Sequence, residues 1–191
     1  MRAYMSAVSA MLKNWRQSLP VLVLTVVRVY YGYRWMSSGL AKLAWFTDGT
    51  RNSVGLIGRM VQNLAGPEVI RFDPLYINKL WGWVADTVFV GAAPALTDAL
   101  VVIMEIAIGA AMVVGVGVLW AAIAGTFLTL QFFAAGSFIS FGYIGTNLIY
   151  WQFHRLSGAI GVDGFLRARR GVPITGGSVR TQSIPPMAAG R

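Results

Sequence analysis

The chain has 191 residues, 56% of them apolar or aromatic and only 12% charged, with a mean hydropathy of +0.61. Soluble domains carry about 25% charged residues, so the composition points to a membrane protein, and the +9 charge, 16 Lys and Arg against 7 Asp and Glu, reads as a topology signal rather than a nucleic-acid footprint. The absence of cysteine and the presence of one histidine, His154, exclude a disulfide framework, a thiol redox pair, c-type haem attachment and bis-histidine haem ligation, and no metal site is expected.

In the first seventeen residues, Met1, Tyr4, Met5, Val8, Met11, Leu12 and Trp15 recur at i, i+3, i+4 and i+7, which predicts a cytoplasmic amphipathic helix lying at the membrane interface over residues 1–17. The apolar run that follows is longer than the about 7 to 15 residues of a signal-peptide core and contains Arg28, so the segment is expected to be retained. Runs long enough for a transmembrane helix, about 20 residues, fall at about 20–45, 95–114, 118–137 and 143–166. The predicted fold is therefore an all-α membrane protein, a four-transmembrane-helix bundle over residues 18–166. Its turns are predicted at Gly115-Val116-Gly117 and around Gly136-Ser137 and Gly142.

Residues 46–94 form the predicted outer loop, with balanced charge and with short helices signalled by Val54, Ile57, Val61 and Leu64 and by the Trp-rich stretch around Trp81 and Trp83. Arg2, Lys13 and Arg16 before the first run, and Arg167, Arg169, Arg170, Arg180 and Arg191 after the last, stand in segments without an acid. The positive-inside rule then places both termini in the cytoplasm and the chain in the inner membrane as a multi-pass protein. The basic tail over residues 167–191 holds Pro, Gly and Ser and no core-forming pattern, and is expected to be extended or disordered unless a partner holds it.

Charged groups inside apolar runs need a reason, since each costs about 2.5 to 3.5 kcal/mol at a span centre. Arg28, Gly32, Trp35, Gly39 and Lys42 fall in a sector of about 80° on a helical wheel, with Tyr31 at its edge. Asp98, Glu105 and Gly109 share a second face, and Asn147, Trp151, His154 and Gly158 a third. Two readings stand. In one, Arg28 and Glu105 neutralise each other as a structural ion pair and His154 is hydrogen-bonded within the bundle. In the other, Arg28, Glu105 and His154 are catalytic candidates, and Tyr31, Trp35, Lys42, Asn147 and Trp151 shape a quinone pocket, because a quinone needs a flat apolar slot and a donor at each carbonyl.

The segment from Val27 to Leu43, with Arg28, Gly32, Gly39 and Lys42, resembles the first helix of the DoxX/DoxD family. Met104 to Gly109, followed by Gly115, resembles its second helix, and Asn147-Leu148-Ile149-Tyr150 with Gly161 to Leu166 resembles its fourth helix and exit. The resemblance implies a membrane subunit of a quinone-linked oxidoreductase of the thiosulfate:quinone type, with Arg28, Lys42 and Glu105 at pattern positions. It implies quinone as cofactor, the lipid bilayer and other membrane-complex subunits as partners, and a small anionic substrate such as thiosulfate, which Arg34, Lys42, Arg51 and Arg59 could attract. Without cysteine, sulfur chemistry falls to a partner subunit. No haem, metal or nicotinamide is expected in the chain, and the lack of any bound-cofactor motif keeps a second reading open, a non-catalytic accessory subunit of a larger membrane complex.

Overall fold

A computed structural model describes residues 1–47, 52–64, 77–136 and 140–176, and every regular element among them is helical. After helix α1 (Arg2–Leu12), the Asn14 side chain accepts a hydrogen bond from the Arg16 amide at 3.2 Å and so starts α2 (Trp15–Ala41). Short helices α3 (Ala44–Thr47), α4 (Asn52–Leu64) and α5 (Ile77–Val84) follow, and α5 runs on into a π-helical stretch, Ala85–Ala92. Then come α6 (Pro94–Val114), α7 (Val118–Ala134), α8 (Ser140–Ser157) and α9 (Val162–Arg169). Proline at the first position opens α6, where its missing N–H has no helical partner to lose. The α6–α7 turn is Gly115-Val116-Gly117, both glycines at positive φ, +70° and +56°. Without a Cβ they reverse the chain in three residues.

The principal contact joins α2 to α6 in antiparallel register. Gly32 and Gly109 meet there: a Cβ on Gly32 would lie 2.7 Å from the Gly109 carbonyl oxygen, and one on Gly109 would run into the Met36 backbone nitrogen. Small residues let the two backbones touch, and α7 and α8 close the layer. The main core holds Tyr31 and Trp35 of α2, Ile108 and Met112 of α6, Val118, Ala121, Ala122 and Leu128 of α7, and Tyr150 of α8. A second cluster joins Met11 of α1 to Val21, Ala159 and Ile174, and a third joins Met60, Ala85 and Ala135.

Several expectations are corrected here. Among the described residues one helix, α6, is both long and apolar enough to cross a membrane. Helix α7 is apolar but has 17 residues, about 26 Å at about 1.5 Å per residue, against a hydrocarbon core of about 30 Å. Helix α2 has the length, but Arg28, Arg34 and its tyrosines dilute its apolar run. Helix α8 carries Asn147, Gln152, His154 and Arg155 and leaves helical geometry at Phe153. The four-transmembrane-helix bundle is therefore replaced by a compact, internally packed helical fold. The multi-pass placement in the inner membrane and the lipid bilayer as partner lose the spans on which they rested.

The stripe on α1, expected to lie at an interface, packs in part on the chain itself. Tyr4 donates its hydroxyl to the Ala159 carbonyl at 3.4 Å, accepts from the Gly161 amide at 3.1 Å, and sets its ring edge-on to Phe165. The expected turn at Ser137, the loop charges Asp48, Arg51, Glu68, Arg71 and Asp73, and the tail from residue 177 lie outside the described residues.

Candidate functional site

The antiparallel α2–α6 contact carries Lys42, at the end of α2, onto Glu105 in the middle of α6. The Lys42 ammonium lies 2.7 and 2.6 Å from the two carboxylate oxygens and 2.7 Å from the Ser38 hydroxyl, one helical turn back. Gly39 makes the approach possible, since a Cβ there would stand 3.0 Å from the Cβ of Glu105. Glu105 is 1% exposed. Burial pushes its carboxyl above the usual range, and the Lys42 and Ser38 hydrogen bonds pull the other way. Lys42 also lies 5.8 Å from the ring centres of both Trp45 and Phe132, within cation–π range.

Phe132 has a second role as a wall of a cavity of about 170 Å³ between α4, α5, the π-helical stretch, α6 and α7. Met104, next to Glu105 in sequence, also lines it, with Met60, Phe89, Val101, Phe127 and Leu128. The polar groups at its wall are largely satisfied. Trp81 donates its indole N–H to Gln131 Oε1 at 2.7 Å, and the Thr97 hydroxyl donates to the Phe89 carbonyl at 2.7 Å. The result is an apolar, ring-lined space one phenylalanine away from a buried ion pair.

Of the residues singled out in the sequence, Tyr31, Trp35 and Asn147 are brought together. Tyr31 donates to Asn147 Oδ1 at 2.9 Å, stands edge-on to Trp35 and stacks on Tyr150, while Trp35 meets Tyr143 edge-on at 5.5 Å. Burial raises the Tyr31 hydroxyl above its ordinary pKa and pushes that of Tyr150 up to about 12. Both stay protonated as donors. Trp151 is exposed on the outside of α8.

Arg28, Glu105 and His154 do not share one site. Arg28 is 1% exposed and lies against Gly115 and Gly161, where its Nη2 donates to the Ile160 carbonyl at 2.8 Å. Gly115 is ten residues along α6 from Glu105, about 15 Å at the helical rise. The Arg28–Glu105 ion pair is accordingly replaced by Lys42–Glu105. His154 is partly exposed near the end of α8, its Nδ1 2.8 Å from the Trp151 carbonyl. Sequence reasoning missed the cavity. Trp81 and Gln131 are 50 residues apart, and no periodicity in either helix announces that they meet.

Fold and site together define an all-helical bundle with an apolar cavity beside a buried Lys–Glu pair. No known protein family, no characterised protein and no solved structure matches the chain. The DoxX/DoxD resemblance is corrected on that ground: the spaced glycines seat α2 on α6, and the Lys and Glu neutralise each other. The quinone-linked oxidoreductase subunit, thiosulfate electron transfer and the accessory subunit of a membrane complex lose their support with it. The four bases expected to attract thiosulfate do not make a described site, since Lys42 is held by Glu105 and Arg51 lies outside the described residues.

Proposed function

We propose that the chain binds a small apolar ring compound in the cavity between α4, α5, α6 and α7. The observation that carries this is the cavity itself, about 170 Å³ walled by Phe89, Phe127, Phe132, Trp81 and aliphatic side chains. A hollow of this volume with apolar walls has the size to admit a benzene-sized molecule, and aromatic walls favour a ring held edge-on or offset. Gln131 supplies the anchor. Its amide oxygen is taken by Trp81 and one of its two N–H donors by the Phe127 carbonyl at 3.3 Å, so the remaining N–H serves an acceptor on the ligand, such as a ring carbonyl or ether oxygen. A short-chain benzoquinone is one member of this class, bound here as a ligand.

The test is calorimetric titration with toluene, with a short-chain benzoquinone and, as a polar control of similar size, with glycerol. Saturable one-to-one binding of the two ring compounds, without glycerol binding, is the expected result. Val101→Phe and Ala135→Phe, each filling the cavity from a different side, should abolish it while leaving a cooperative melting transition. Unchanged affinity in both variants, or no ring binding by the wild type, would overturn the reading.

A further inference from the structure

A second concave site lies at the end of the bundle where α7 begins and α8 ends, far along α6 from the Lys42–Glu105 pair. It encloses about 260 Å³ and is lined by His154, Arg155, Arg167 and Arg170, with Asp163 and Trp120. Three arginines and a histidine thus share the wall of the hollow with one acid. That carboxylate is already engaged: its two oxygens accept from the Gly117 and Val118 amides at 2.9 and 3.1 Å, so that Asp163 caps the start of α7. Two of the arginines, Arg155 and Arg167, are held in place by backbone carbonyls instead of acids. Arg167 Nη1 donates to the Arg155 carbonyl at 2.7 Å and to that of Ile174, and Arg155 Nη1 donates to the Gly176 carbonyl at 3.1 Å. Each keeps Nε and Nη2 for another acceptor.

The sequence adds no counter-charge, since residues 154–191 hold six arginines and one acid, Asp163. Clustered guanidinium forks match the oxygens of a phosphate and bind it with paired, charge-assisted hydrogen bonds. Beside them Trp120 stands 72% exposed, an apolar ring face at the rim of a cationic hollow. Indole offers a stacking platform for a planar group attached to the anion.

We propose that this hollow binds a soluble phosphomonoester that carries an aromatic group, with Arg155, Arg167 and Arg170 on the phosphate and Trp120 against the ring. Phenyl phosphate is the probe, followed by calorimetry in low salt. It should bind saturably, inorganic phosphate more weakly, and benzyl alcohol not at this site. Arg155→Gln with Arg170→Gln, both at exposed positions, should weaken phenyl phosphate by about tenfold or more, the effect of losing a charged hydrogen bond, with an unchanged melting curve. Trp120→Ala should bring phenyl phosphate down to the level of inorganic phosphate. Equal phenyl phosphate affinity in wild type and the double arginine variant overturns the assignment. Binding to phosphatidylcholine vesicles containing phosphatidic acid, without binding of phenyl phosphate, also overturns it, because the phosphate would then be a lipid headgroup.

Discussion

Glu105 is the acid that the fold has to neutralise, and Lys42 is the group that does it. A carboxylate 1% exposed is tolerable only with its partner, because removing one member of a buried pair leaves an uncompensated charge at a cost of about 3 to 5 kcal/mol. Lys42→Met should therefore lower stability by about 3 kcal/mol, near the bottom of that range because the lysine side chain is 19% exposed. The double variant Lys42→Met with Glu105→Leu should recover most of the loss, and urea unfolding of the single and double variants measures both. A pH dependence follows from the same group. Burial holds the Glu105 carboxyl above its ordinary 4.5, so the folded chain binds that proton more readily than the unfolded chain. The associated stability is present at pH 4 and is lost as pH rises through the folded value. Without Lys42 the upward shift grows. The Lys42→Met deficit should accordingly be larger at pH 8 than at pH 4.5, and a deficit independent of pH would refute the charge account.

At the scale of elements, the α2–α6 contact leaves no room for a side chain at its glycines. Gly109→Ala puts a methyl group against the Met36 backbone, which no side-chain rotation relieves, and overpacking of this kind costs about 1 to 3 kcal/mol. Gly58→Ala, where a Cβ meets nothing within 4 Å, is the matched control and should be neutral or slightly stabilising, since alanine is the better helix former. Thermal melts of the two variants settle the comparison.

The same contact shows what the sequence made legible. The helical period of the apolar residues and the glycines of the α6–α7 turn are local properties, and they can be read from spacing alone. The sector shared by Arg28, Gly32, Trp35, Gly39 and Lys42 was also legible as a face, yet its partner depended on register. A shift of α6 by a few turns decides whether Glu105 meets Arg28 or Lys42, and nothing in either helix records that shift. The cavity was hidden for the same reason: its walls come from five separate elements. The number of apolar runs exceeds the number of spans because a run of mainly apolar residues need not be one long apolar helix: α7 stops after 17 residues and α8 leaves helical geometry at Phe153.

For the whole molecule, the composition that suggested a membrane protein is expressed largely on the outside of the fold. Val26 of α2 is 68% exposed, Ile103 of α6 61% and Trp120 of α7 72%, and Leu96, Leu130 and Leu148 stand out as well. Apolar atoms make up more than half of any protein surface, so single exposed leucines carry no message. Here they recur on every long helix. Large exposed apolar area drives association in water, and at about 25 cal/mol per Å² even a few hundred Å² covered on self-contact outweighs much of the entropy lost. The folded chain is therefore expected to self-associate at micromolar concentration in plain buffer and to disperse in mild non-ionic detergent without loss of helical signal. Light scattering and circular dichroism, followed together through the detergent titration, test this. Association through the exterior predicts scattering that falls while ellipticity holds, and should be weakened by Ile103→Lys and Val26→Lys, which change exposed side chains. If scattering instead rises only when ellipticity is lost, the association belongs to unfolded chains and the exposed side chains play no part in it.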